Sequence, residues 1–223
     1  MLFSGELKTE SEKFHAHIAV EARWNIQSSE EEIDLLSSLS THDQDRLRNG
    51  ETVKLPEDFS DKYWHPKLFL LNVSRDRDEE TSYSIKRYQQ RIQIYEFMDV
   101  HGYFYCKFDL HEFPTDIQEL KIFVGSALFS SEVVLEPDSH RASGINHEAF
   151  VDEQEWILYD HVETYSKFLK GFLFQNDGED KLDTAGHERK RAILTIFCHA
   201  GKCQKDISSL ILECLSLLIV KKS

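Results

Sequence analysis

The run FHAHIAVEARWNI, residues 14–26, alternates from one side of an extended chain to the other. Phe14, Ala16, Ile18, Val20 and Ala22 fall on one side, as expected of a strand with one face in a core. Further strand-like segments follow: KLFLLNV, SYSIKRYQQRIQIYEFM, YFYCKFDL, LKIFVGSALF, SEVVLEP, EWILYDHVETYSKF, GFLFQ and KRAILTIFCH. The loop signals RDRDEET, DVHG, EFPTD, PDSHRASGIN and NDGEDKLDTAGHE separate them. Short strands at nearly regular spacing, with little helix between, predict an all-β, immunoglobulin-like sandwich of about ten strands. One stretch departs from this. SSEEEIDLLSSLSTHDQDRLRNGE offers Ser28 or Ser29 as an N-cap, acids in the first turn and Asn49-Gly50 as a stop. It predicts a short surface helix inserted between strands near residues 29–48.

A chain of 223 residues is long enough to bury one substantial core. Its 26 Lys and Arg against 40 Asp and Glu give a net charge of −14. That balance argues against nucleic-acid binding, which needs clustered cations, and suits basic or cationic partners. The opening MLFSGELKTESEK turns polar after three residues, so no secretory leader is visible in it. The reading divides the chain into a main domain over 1–205 and an apolar tail over 206–223. Within the tail, ISSLILECLSLLIV (207–220) is shorter than the roughly 20 residues of a spanning helix. An amphipathic tail helix and a truncated membrane segment both remain open for it.

The chemistry-bearing motifs are few. There is no GxSxG elbow, P-loop, GxGxxG or HExxH, and no nucleophile–base pair can be assembled, so an enzyme is unsupported. His15 and His17 share a strand face in a spacing that suits a metal, but no third ligand is evident. Cys198, His199 and Cys203 are incomplete as a zinc set for the same reason, and no metal or cofactor is expected. Cys106, Cys198, Cys203 and Cys214 do not form a disulfide framework, although Cys198 and Cys203 are close enough in sequence to pair. The acids at 30–32 and 76–80 read as solvated loops without the ligand spacing of a calcium loop. Asn72-Val73-Ser74 is a glycosylation sequon if the chain is secreted. Eleven histidines make proton sensing conceivable without locating a sensor.

One segment carries more. In CKFDLHEFPTDIQELKI (106–122), Phe113-Pro114 breaks a strand, because proline lacks a ladder donor and fixes φ. The alternation restarts after Asp116. This segment resembles the Cys-loop of pentameric ligand-gated ion channels, in the extracellular domain related to acetylcholine-binding proteins. Cys106, Asp109, Phe113, Pro114, Asp116 and Gln118 match the family pattern. Leu120 stands where the pattern has its second cysteine, so the loop-closing disulfide cannot form. Supporting landmarks are LPEDFSDKYWHPKLFLLNV with Trp64, Pro66 and Asn72, VEARWN with Trp24, FVGSALF, and Glu155-Trp156. The resemblance covers roughly residues 12–200.

What the resemblance implies is an extracellular-facing, membrane-associated subunit of a homo- or hetero-pentamer, with a small-molecule ligand between adjacent subunits. The family's aromatic ligand positions fall here on Leu71, Ala127 and Ala19, and Phe172 and Phe174 on the last hairpin remain available to a pocket. Phe113, Pro114 and Asp116 would couple the domain to a pore, which this chain does not contain. A cation–π contact contributes about 0.5–2 kcal/mol, so losing three should abolish tight choline-like binding. The leading expectation is the ligand-binding and assembly domain of a divergent pentameric ligand-gated channel. The alternative is a soluble, non-channel binding protein of the same fold that modulates assembly or sequesters a ligand.

Overall fold

The computed structural model describes residues 7–8, 12–26, 28–89, 91–107, 117–146, 156–170, 190–202 and 212–222. Two sheets pack over one hydrophobic core. Sheet A is built from β1 (Leu7–Lys8), β2 (Lys13–Asn25), β3 (Val53–Lys54), β5 (Val73–Tyr88), β6 (Arg91–Tyr105), β8 (Val133–Pro137), β9 (Gly144–Ile145) and β12 (Leu212–Lys222). Its main path runs β3-β5-β6-β2-β12-β8, with β1 on β2 and β9 on β12. Sheet B contains β4 (Leu68–Leu70), β7 (Ile117–Ser126), β10 (Trp156–Lys170) and β11 (Lys190–Lys202), in the order β10-β11-β7-β4. The ladders are antiparallel except for β12 on β2, which is parallel. The all-β sandwich expected from the alternating segments is therefore the observed fold.

The alternation in β2 explains its place. Phe14, Ala16, Ile18, Val20, Ala22 and Trp24 are buried, and every intervening residue is partly exposed. β6 presents Ile92, Ile94, Met98, Val100 and Phe104 to the same core. Sheet B answers with Leu120, Ile122, Val124, Leu194, Ile196 and Ala200. Burying a side chain of this kind contributes about 1.5–3 kcal/mol, so these rows fix strand register, since a one-residue slip would turn them outward.

Several sequence expectations are corrected. There are twelve described strands rather than about ten. SYSIKRYQQRIQIYEFM is two strands, with Tyr88 opposite Arg91 and Gln89 at φ 45°. RDRDEET and DVHG are strand rather than loop: β5 runs through the acidic stretch as an exposed strand, and β6 continues through Gly102. A Cβ at Gly102 would lie 3.0 Å from the Arg77 Cβ, so glycine there allows two strands to approach. The inserted helix is two helices, α1 (Ser29–Ser38) and α2 (Thr41–Arg48). Ser28 caps α1 through the Glu30 N–H, as its position suggested. The chain restarts at Ser40, whose hydroxyl accepts from the Asp43 N–H and donates to Asp43 Oδ2. A further turn, α3 (Phe59–Lys62), packs Phe59 against Tyr83 at 5.0 Å.

The C-terminal apolar run also differs from its helical reading. Residues 212–222 form β12, which lies between β2 and β8 and is hydrogen-bonded to both. Among the described residues no helix is long and apolar enough to cross a membrane.

Candidate functional site

The chain crosses between the sheets twice in the region the sequence singled out. Residues 71 and 72 carry it from β4 in sheet B to β5 in sheet A, and residues 106–116 carry it from β6 back to β7. Phe113, Pro114 and Asp116 lie outside the described residues, as do Phe172 and Phe174. The strand ends that hold the 106–116 segment are described, and they are tied together. Asn72 Nδ2 donates to the carbonyls of Tyr105 at 2.9 Å and Lys121 at 2.7 Å. Its Oδ1 accepts from the Phe123 N–H at 3.2 Å. The two carbonyls and one N–H settle which way the amide points. The Asn72 main-chain carbonyl also accepts from the Tyr105 N–H at 2.8 Å.

Cys106 sits at the same junction, 7 % exposed and without a disulfide. Its thiol donates to the Glu119 carbonyl at 3.0 Å. Burial pushes this thiol up, which keeps it protonated and slow as a nucleophile. Leu120, at the position of the absent second cysteine, is fully buried in the core and lies opposite Cys198. Cys198 faces that core and the adjacent His199 leaves the other face of β11. Adjacent strand residues cannot share a ligand point, so this pair does not build the zinc set.

The ligand positions implied by resemblance separate into two groups. Leu71 lies at the end of sheet B, where its N–H donates to the Phe123 carbonyl. A Cβ at Gly125 would come within 2.7 Å of Leu71 Cδ1 and 3.3 Å of the Phe69 ring, so Leu71 fills the space over a glycine. Ala127 lies at the opposite end of the β4–β7 ladder, exposed, with its N–H on the Lys67 carbonyl. Its own carbonyl accepts from Arg191 Nε at 3.2 Å, and the Arg191 guanidinium lies 4.9 Å from the centre of the Phe129 ring. Ala19 is elsewhere. It belongs to the outward face of β2 in sheet A, opposite Asp99. Leu71 and Ala127 therefore lie in sheet B at the two ends of the β4–β7 ladder, and Ala19 lies in sheet A.

Sequence reasoning passed over Arg191 and Phe129. Arg191 is the second residue of β11, and its partner is 62 positions away in the chain, so spacing gives no signal. It also passed over Glu96, a carboxylic acid in the core-facing row of β6 and 2 % exposed, opposite Tyr83 and Ala22. Burial raises this acid to about 8, so it is protonated at neutral pH. The histidine face is richer than two residues. His101 of β6 lies opposite His17, its ring 4.5 Å from His15 and 5.8 Å from His17, and His17 Nε2 is bonded to Asp99. Among the described residues, no three His, Cys, Asp or Glu side chains are arranged to hold a metal ion.

A sequence profile of the neurotransmitter-gated ion-channel ligand binding domain matches residues 38–176. The chain belongs to this family, and it is a ligand-binding domain of receptor type. No curated protein sequence matches it.

Proposed function

We propose that this chain is the extracellular ligand-binding and assembly domain of a divergent pentameric ligand-gated channel, and that it does not recognise acetylcholine-type cations. The ligand site lies between neighbouring subunits. Leu71, Ala127, Phe172 and Phe174 belong to one subunit's side, and Ala19 comes from the next. The separation of Ala19 from Leu71 and Ala127 within one chain supports such a shared site. The observation that carries the ligand class is Arg191. A cation already faces Phe129 and is bonded to the Ala127 carbonyl, so a quaternary ammonium arriving there meets like charge and no open aromatic face. Phe113, Pro114 and Asp116 form the coupling loop toward a membrane domain beyond this chain.

A second reading, a soluble binding protein of the same fold outside any channel, is favoured by one observation: the apolar run that follows β11 enters sheet A as β12. Native mass spectrometry of the full chain separates the two. A particle five times the 26.1 kDa protomer supports the channel-type reading, and a monomer at all concentrations contradicts it in favour of the second.

A further inference from the structure

The covalent closure of the 106–120 segment is missing, and something must hold its two stems at a fixed distance. We propose that the Asn72 side chain is the positioning residue that does this, as a non-covalent brace replacing the absent disulfide. The inference rests on the family reading for the meaning of the segment, but the geometry stands alone. Asn72 occupies the first crossover between the sheets, and its single amide reaches both stems of the second. It bonds Tyr105 at the end of β6 in sheet A, and Lys121 and Phe123 on β7 in sheet B. The separations in sequence are 33, 49 and 51 residues, so these are tertiary ties and not a local turn. The Cys106 thiol bonded to the Glu119 carbonyl adds a second tie at the same base. No other side-chain type of this size offers two donors and one acceptor in this planar arrangement. Aspartate keeps the acceptor and loses both donors, and alanine loses all three.

The same geometry bears on the sequon Asn72-Val73-Ser74. Both Nδ2 protons are in use, and a glycan on that nitrogen would remove one of them. The brace therefore requires Asn72 to be unmodified in the folded protein.

The test uses the full chain and its built-in reporter, the buried thiol of Cys106. Wild type, Asn72→Ala, Asn72→Asp and Asn72→Ala/Leu120→Cys are compared for thermal midpoint, Cys106 labelling rate by a maleimide with mass-spectrometric localisation, and amide exchange at Tyr105 and Phe123. Losing the donors should speed Cys106 labelling on the order of tenfold in both single variants and lower the midpoint by a few degrees. Phe123 exchange should rise in Asn72→Ala and less in Asn72→Asp, which retains the acceptor. Oxidised Asn72→Ala/Leu120→Cys should recover slow exchange at both stems, and a reductant should reverse the recovery. If Asn72→Ala does not fold, the near-isosteric Asn72→Asp carries the same test. Unchanged labelling and exchange in the folded variant overturns the proposal. So does an intact glycan on Asn72 of wild-type protein expressed through a secretory pathway. None of these readouts depends on a pore or a ligand, so a failed coupling role and a failed brace give different results.

Discussion

Replacing Glu96 with glutamine will stabilise the fold at alkaline pH and change it little at acid pH. Glu96 stands between Ile94 and Met98 in the core-facing row, 2 % exposed, and among the described residues its Oε2 has no hydrogen-bond partner. Burial raises its carboxyl from 4.5 to about 8. In that window the unfolded chain is ionised and the folded chain is not, so folding takes up a proton. An acid held higher in the folded state gives its full contribution below 4.5 and loses it as the pH rises toward about 8. The whole window corresponds to roughly 5 kcal/mol, or about 1.4 kcal/mol for each pH unit. Glutamine keeps the shape and does not titrate. Urea unfolding of both proteins at several pH values from about 5 to about 8 reads the effect directly, since the midpoint and slope give each free energy. The stability of wild type relative to Glu96→Gln should fall steadily with pH by about 1.4 kcal/mol per unit. A difference that stays constant across that range would refute the burial argument.

Arg23 Nη2 pairs with Asp138 Oδ2 at 2.8 Å, and the Asp138 side chain is only 2 % exposed. Arg23→Met should cost about 3 kcal/mol in urea unfolding by leaving a buried charge, and the double variant Arg23→Met/Asp138→Leu should recover most of it. His15 and His101 are lowered by burial first and by neighbouring imidazoles second. Their imidazole resonances should titrate below the ordinary 6.5, and their contribution to stability, present above that value, should be lost as the pH falls. Resonances titrating at or above 6.5 would contradict the burial seen for this face. Deleting residues 212–222 removes the strand between β2 and β8. Amide exchange in the β2 segment 16–23 should rise selectively, and unchanged protection would show that β12 does not hold that ladder.

Much of the fold was legible because burial writes a period of two into the sequence. β2, β7, β8, β10 and β11 stand where the alternation put them. The failures have separate physical causes. An exposed strand such as the acidic part of β5 has no core face, so its composition reads as loop. Gly102 signals a turn in sequence, although its small size serves two close strands. The gap between α1 and α2 is one residue beyond a new N-cap, and a capping residue in the middle of a polar run looks like any other serine. β12 is a short apolar run, and periodicity alone does not separate such a run from a helix.

The site was legible to a smaller extent. CKFDLHEFPTDIQEL pointed to the right family because a cysteine, a Phe-Pro break and an acid at those offsets are an uncommon combination. Asn72 was visible only as a sequon and a family landmark. Its role is set by partners on two other strands, and no local pattern encodes a tertiary hydrogen bond. Glu96 and Arg191 were hidden for the same reason. A single acid in an apolar strand, or a single arginine near a strand end, acquires meaning only from what it faces.

The most direct test of the ligand-class claim is an isothermal titration of acetylcholine into the full-length chain. Leu71, Ala127 and Ala19 offer no ring to a quaternary ammonium, and each missing cation–π contact removes about 0.5–2 kcal/mol. No saturable heat is expected at micromolar ligand. A micromolar dissociation constant for acetylcholine would contradict this, because the chain would then hold a cation site despite the missing rings.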